Sequence, residues 1–170
     1  QYRGNQLDRS SGRLEFTDFM AARKGIQFKL AHAASGSISA GSFSIPDLAI
    51  RSDSGHSVKV DLGGYQGEWR ATVNGELDLN VLEFFTPFVV QSKGAAELEF
   101  ALRGRFLEPV FSGKAELRGG FVRIAGLDSP LENLVGRLTV RQGKWSLSGF
   151  TADLAQGRVQ GSGQIQLFTD

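Results

Sequence analysis

The sequence contains no cysteine, which excludes a disulfide framework, a zinc site built from thiolates and a thiol nucleophile. Proline is scarce, at 4 of 170 residues, so a Pro-rich disordered linker is not expected. The longest strongly apolar run, residues 84–90, contains Thr86 and Pro87. It falls far short of the roughly 20 residues that a membrane-spanning helix needs. The length suits one domain that is large enough to bury a core.

A predominance of one charge is also missing. Lys and Arg number 19 and Asp and Glu number 18, giving a formal net charge of +1, and no block of like charges occurs. Electrostatic binding of nucleic acid requires a clustered basic surface. The composition therefore argues against a nucleic-acid partner.

Residues that could carry chemistry are few. The two histidines, His32 and His56, lie in stretches rich in Ser, Ala and Gly, with no Asp or Glu at metal-ligand spacing. Asp53 lies near His56, but the segment around it has the composition of a turn. No nucleophile elbow and no phosphate-binding loop is found. We expect no catalytic residues, no cofactor, no metal site and no enzymatic activity.

Glycine is abundant, at 22 residues, and it separates short segments in which apolar and polar residues alternate. Successive side chains on a strand point to opposite faces, so this alternation predicts one-sided β-structure. In the clearest segment Leu98, Phe100, Leu102 and Phe106 share one parity, and Glu97, Glu99, Arg103 and Arg105 share the other. About a dozen such segments predict an all-β chain.

Local signals predict where the strands are interrupted. The predicted interruptions are a turn at Pro46–Asp47, a bend or bulge at Gly75, a strand end at Gly119–Gly120, a loop over 127–134 and a hairpin turn at Gln142–Gly143.

The alternation gives way to helical spacing at one place. Apolar residues at 79, 82 and 85 predict a short helix over 79–88, and Pro87 would end it. We expect a single β-rich segment over 1–170, with a ragged entry over 1–12.

The sequence leaves open what covers the apolar side of the sheet. Two sheets could bury their apolar faces on each other as a β-sandwich, or one sheet could form a groove for an apolar ligand. Both arrangements need the same alternation.

From Gly75 onward the chain resembles the C-terminal region of the TamB family of translocation and assembly module proteins, within the AsmA-like superfamily. The resemblance covers a little over half of the chain. It rests on an ordered series of segments: Gly-Glu-Leu-Asp-Leu-Asn-Val-Leu at 75–82, Gly-Arg-Phe at 104–106 with Pro109 after it, Phe-Ser-Gly-Lys-Ala-Glu-Leu-Arg-Gly-Gly-Phe-Val-Arg-Ile at 111–124, Leu127 with Leu-Val-Gly-Arg-Leu at 134–138, and Gly-Arg-Val-Gln-Gly-Ser-Gly-Gln-Ile at 157–165.

The resemblance implies a fragment of a long periplasmic protein, anchored in the inner membrane of a Gram-negative bacterium. It implies an open, curled, taco-like sheet of about a dozen short strands with an apolar concave face. Such proteins are implicated in moving phospholipid toward the outer membrane, and in outer-membrane protein assembly with the barrel partner TamA or a relative.

We therefore expect an apolar groove that shelters phospholipid acyl chains. The alternative is a scaffold that assists outer-membrane protein assembly by pairing β-strands with a barrel partner. The residues expected to line the groove are Trp69, Val73, Leu77, Leu98, Phe100, Leu102, Phe106, Leu117, Val122, Ile124, Leu138, Val140, Trp145, Leu147, Val159, Ile165 and Leu167.

Overall fold

The computed structural model describes residues 11–23, 26–105 and 108–166. These residues form 13 strands and one short helical segment, a 3-10 turn at Leu79–Val81 that continues into α1, Leu82–Phe85. The strands are β1 Ser11–Phe16, β2 Met20–Arg23, β3 Ile26–Leu30, β4 Ala34–Ser39, β5 Ser42–Ser52, β6 Ser57–Tyr65, β7 Glu68–Asp78, β8 Val89–Lys93, β9 Ala95–Arg105, β10 Glu108–Ile124, β11 Leu131–Arg141, β12 Lys144–Leu154 and β13 Gly157–Gln166.

All of these strands belong to one antiparallel sheet. Ten of them follow the order β1-β4-β5-β6-β7-β9-β10-β11-β12-β13, while β2 pairs with β3, β3 with β5, and β8 with β10. The sheet is open and does not close into a barrel. The expected all-β fold, with an open sheet and one short helix, is confirmed.

The strands make their extensive contacts with the strands to which they are hydrogen-bonded. Over the described ranges no second sheet packs on the first one. The β-sandwich that the sequence left open is therefore not formed by the described residues, and the apolar side of the sheet keeps its own surface.

The turn predicted at Pro46–Asp47 is wrong, because both residues lie inside β5. The pairing of β5 with β6 shifts between Ile45 and Leu48, and Asp47 adopts a φ of 60°. The Asp47 N–H donates a hydrogen bond to the Asp61 carboxylate over 2.8 Å. A bulge thus accommodates the irregular residues and the strand continues past them.

Of the other predicted interruptions, two do not interrupt their strands, one loop is shorter than predicted and one turn is confirmed. At Gly75, where a bend or bulge was predicted, the pairing runs without a shift on both sides of β7, so no bulge forms. Gly119–Gly120 lies within the 17-residue strand β10, where a register irregularity replaces the predicted strand end. The predicted loop ends earlier, because β11 begins at Leu131. The hairpin turn at Gln142–Gly143 is confirmed, and both residues have the positive φ that such a turn requires.

The helical segment covers 79–85 of the predicted 79–88. Leu79 is buried as its spacing predicts, whereas Leu82 is exposed. Phe84 instead packs against Phe28 of β3, with ring centroids 5.7 Å apart. Glu83 is buried and accepts a hydrogen bond from the Ser92 N–H over 2.7 Å, which ties the helix to β8.

The expected ragged entry falls mostly outside the described residues, which begin at Ser11. Ser11 and Gly12 are regular members of β1, paired with Ser39 and Ile38 of β4.

Glycines on the apolar side of the sheet stand opposite bulky side chains. Gly64 pairs with Phe43, and Gly113 pairs with Phe100. A Cβ atom at Gly113 would lie 2.6 Å from the Phe100 ring, and the Gly113 φ of 149° is one that other residues rarely adopt. The absent side chain therefore lets the ring lie on the backbone of the neighbouring strand.

Gly113→Ala should lower the free energy of unfolding by about 1–3 kcal/mol, because the new methyl group would clash with the Glu99 carbonyl oxygen and the Phe100 ring, and because alanine rarely adopts this φ. Gly163→Ala is the matched control, since no described atom lies within 4 Å of a Cβ atom there and φ is not positive. Urea denaturation measures the free energy of unfolding of both variants. Equal losses for the two variants would show that neither the close contacts nor the backbone conformation at 113 requires glycine.

Candidate functional site

The register of the strands collects the large apolar residues on one face of the sheet. Residues directly opposite each other in an antiparallel pair point to the same side. Phe100 of β9 stands opposite Val73 of β7, and Leu102 stands opposite Ala71 of β7 and Phe111 of β10. We call this side the apolar face, and the opposite side, which carries Arg70, Glu99 and Lys114, the charged face.

The predicted lining residues on β7 and β9 to β13 share the apolar face. Leu138 and Val140 of β11 stand opposite Leu147 and Trp145 of β12. Trp145 in turn stands opposite Ile165 of β13. The other pairs that extend the apolar face are Trp69–Gly104, Leu77–Ala96, Leu98–Ala115, Leu117–Gly136 and Ala152–Val159.

Val122 and Ile124 lie beyond the register shifts of β10. Val122 joins Val89, Leu134 and Ala152 in a buried cluster, and Ile124 packs against that cluster. Phe106 and Leu167 lie outside the described residues. The described members of the predicted set are thus brought together, and their role as a lipid-binding surface stays a prediction.

The apolar face is only partly covered. Val140 has no exposed surface, but Ile165 is 63% exposed and Leu147 is 37% exposed. Most of the other lining residues are half-buried. Their burial comes from neighbours in the same sheet, so the face retains apolar surface that a ligand could contact.

Sequence reasoning missed the part of the apolar face contributed by β3 to β6. Phe43 of β5 packs edge-on against Trp69 of β7 across the intervening Gly64, with ring centroids 4.9 Å apart. Ile50 of β5 stands opposite Leu30 of β3 and Val58 of β6. The alternation at 26–30 and 58–62 was the available signal. The predicted lining set nevertheless began at Trp69 and left these strands out.

A small cavity of about 160 Å³ lies where these strands meet. Its walls are mostly apolar, and one end carries His56 and neighbouring polar groups. The residues that line it are Phe28, Ile50, Ser52, His56, Val58, Val73, Glu76, Leu77, Asp78 and Leu98.

His56 lies close to two carboxylates, which its sequence neighbours did not indicate. Its Nδ1 is 2.8 Å from Glu76 Oε2, and its Nε2 is 3.8 Å from Asp78 Oδ1. Ser54 donates a hydrogen bond to Asp78. Pairing of β6 with β7 brings these carboxylates to His56, although they lie about 20 residues away in the sequence.

This polar cluster does not have the arrangement of a catalytic triad. The Ser54 hydroxyl bonds the Asp78 carboxylate and not the imidazole, so no nucleophile contacts a base. His32 Nε2 lies 3.7 Å from an oxygen of Asp47 at an exposed position. In the described part of the chain, no group of three or more His, Cys, Asp or Glu side chains could hold a metal ion.

Ion pairs organise much of the charged face. The Lys114 ammonium group lies 2.8 Å from the Glu99 carboxylate. The Glu116 carboxylate lies 2.8 Å from the Arg118 guanidinium and 2.9 Å from the Arg137 guanidinium. The hydrogen bond from Arg118, helped by the charge of Arg137, holds the pKa of Glu116 below its ordinary value. These ion pairs lie on the side of the sheet opposite to the apolar face.

No protein-family model matches the chain, and no match is found among curated proteins or solved structures. Of the described helices, none is long and apolar enough to cross a membrane.

Arg118→Gln should raise the pKa of Glu116 toward its ordinary value, because it removes the strongest of the groups that lower it. A lowered carboxyl pKa stabilises the folded chain above the unfolded-state pKa. This stabilisation is lost as the pH falls through the folded-state pKa. Carbon-13 NMR titration of the Glu116 carboxyl group, with Arg123→Gln as control, measures the shift. An unchanged Glu116 titration in Arg118→Gln would refute this account.

Proposed function

We propose that this chain is a segment of a TamB-like protein of the AsmA-like superfamily, and that its apolar face shelters phospholipid acyl chains between the inner and outer membranes. The observation that carries this proposal is the apolar face itself. It runs in register from β4 to β13, and among the described elements no second sheet covers it.

The size of the face suits an extended apolar ligand. The ten-strand path spans about 43 Å at roughly 4.8 Å per strand. Each acyl CH₂ group taken out of water contributes about 0.8 kcal/mol. A chain that moves along a continuous apolar surface keeps this stabilisation at every position, whereas a buried unpaired charge would act as a barrier.

The arrangement of glycines supports the same use. Because Gly113 has no side chain, the Phe100 ring lies against the backbone of the neighbouring strand. The ring therefore does not project from the apolar face and obstruct an acyl chain that moves along it. The mostly apolar cavity of about 160 Å³ beside Val73 and Leu98 offers a place where part of an acyl chain can be enclosed.

The family resemblance supplies the cellular setting of this proposal. It supports a periplasmic position within a longer, inner-membrane-anchored protein of a Gram-negative bacterium, with phospholipid as ligand. The chain's own residues would act by excluding water from the acyl chains, and no chemical step is needed.

A photoreactive amino acid at Phe100 should crosslink to phospholipid in cells, while the same probe at Glu99 should not. The two positions are adjacent on β9 but lie on opposite faces. Mass spectrometry of the crosslinked product identifies the lipid. Equal labelling at both positions would argue against a specific role of the apolar face.

The companion functional test places a carboxylate on the apolar face with Leu138→Asp and uses Thr139→Asp on the charged face as control. Lipid transport by the full-length protein should fail only in the first variant. If folded Leu138→Asp protein still supports transport, the proposed conduit does not pass this site.

A second candidate function is favoured by the last strand of the sheet. All ten residues of β13 are exposed, and among the described strands β12 alone is paired with it. An unpaired strand edge is suited to β-augmentation. The chain could in this way assist outer-membrane protein assembly with a barrel partner of the TamA type.

If the unpaired edge of β13 pairs with a strand of an outer-membrane barrel protein, a photoreactive probe at Gln164 should crosslink to that strand. The matched probe at Ser146, its partner on β12, should give much weaker protein crosslinks, because β12 is paired on both sides. Immunoblotting for the barrel protein distinguishes the two. Lipid adducts alone at Gln164 would count against this second function.

A further inference from the structure

Two arginines on the charged face stand opposite each other and not opposite a carboxylate. Arg70 of β7 and Arg103 of β9 stand directly opposite each other. Their Cβ atoms are therefore about 4.5–5.5 Å apart, a position in which like charges are destabilising. Across the described ranges, no carboxylate oxygen lies within 4.0 Å of either guanidinium group, which is the distance limit for an ion pair.

The neighbours of this pair do not neutralise it by direct contact. In the same row across the sheet, Gly63 stands beside Arg70 and Val110 stands beside Arg103. The carboxylates of Asp61, Glu68 and Glu108 lie on the same face, two residues further along their strands and therefore in the two adjacent rows.

These carboxylates already have other neighbours. Asp61 accepts hydrogen bonds from the Asp47 N–H over 2.8 Å and from the Thr72 hydroxyl over 3.4 Å. Glu68 and Glu108 both stand opposite Arg105. The two opposed guanidinium groups thus remain available for an anion.

Space for an anion exists at the same place. Both arginines line a cleft of about 500 Å³ on the charged face, together with the hydroxyl-bearing residues Ser44, Tyr65 and Thr72. The carboxylates of Asp61 and Glu68 also line it, and Gly63 leaves the space beside Arg70 without a side chain.

We propose that Arg70 and Arg103 together bind a phosphate group in this cleft. A guanidinium presents two parallel N–H donors that match phosphate oxygens, and two such forks can engage different oxygens of one phosphate. A bound phosphate also removes the repulsion between the two arginines. The phosphate could belong to a lipid headgroup or to a soluble phosphate ester, since the chemistry recognised is the same.

Titration of the purified 170-residue chain with inorganic phosphate, followed by amide NMR, tests the site. Saturable shifts are expected at Gly63, Arg70 and Arg103. Arg103→Gln should weaken binding about tenfold or more, because a charged hydrogen bond is lost. Glu68→Gln should strengthen binding, because it removes a nearby negative charge. Arg103 and Glu68 are both exposed, so these two variants are expected to fold.

The control variant is Arg141→Gln. Arg141 is also exposed and also faces a like charge, Lys144, but it lies outside the cleft. It should change phosphate affinity less than about twofold if the cleft, rather than general basic charge, makes the site. No saturable shifts, or equal weakening by Arg141→Gln and Arg103→Gln, would overturn the proposal.

Vesicles of phosphatidylethanolamine and phosphatidylglycerol identify the source of the phosphate. Flotation with the vesicles that depends on Arg103 assigns the site to a lipid headgroup. Phosphate binding without such flotation assigns it to a soluble phosphate ester. Because the phosphate titration contains no acyl chains, its failure leaves the proposed role of the apolar face untouched.

Discussion

Backbone hydrogen bonding in a fixed register is the constraint on which the rest of this structure depends. With no second sheet described above or below it, the sheet cannot rely on a thick core, and few of its apolar residues are fully buried. A slip of one residue between two strands would move every side chain of one strand to the other face. Matched registers from β4 to β13 therefore keep Val73, Phe100 and Val140 on one surface and Glu99 and Lys114 on the other.

This constraint explains how the two faces differ in use. Neighbouring strands bury the side chains of the apolar face only in part. The apolar surface that remains exposed is the basis of the proposed lipid contact. Ion pairs stabilise part of the charged face, as at Glu116, whereas the arginines at 70 and 103 face each other. Acyl chains and phosphate groups would be handled on different sides of one sheet, which allows their roles to be separated by mutation.

Much of the strand pattern could be predicted because side chains alternate with period two. That period is plain in β9, where Leu98 and Phe100 alternate with Glu97 and Glu99. The interruptions were harder, since Pro46–Asp47 and Gly119–Gly120 suit a turn or a bulge equally well, and only pairing with the neighbouring strand decides. Contacts between strands, such as His56 with Glu76 or Arg70 with Arg103, depend on register and loop length. No local spacing in the sequence encodes them.

The order of the sheet has a consequence for its local stability. Each strand is held chiefly by the strands on either side of it, as in a repeat protein whose stability is a sum of nearest-neighbour terms. β1 and β13, at the ends of the ten-strand path, each have one paired neighbour among the described strands, whereas β9 and β10 have long partners on both sides. The free energy of local opening should therefore rise from the ends toward the middle, and the sheet would fray from its margins before its centre loses structure.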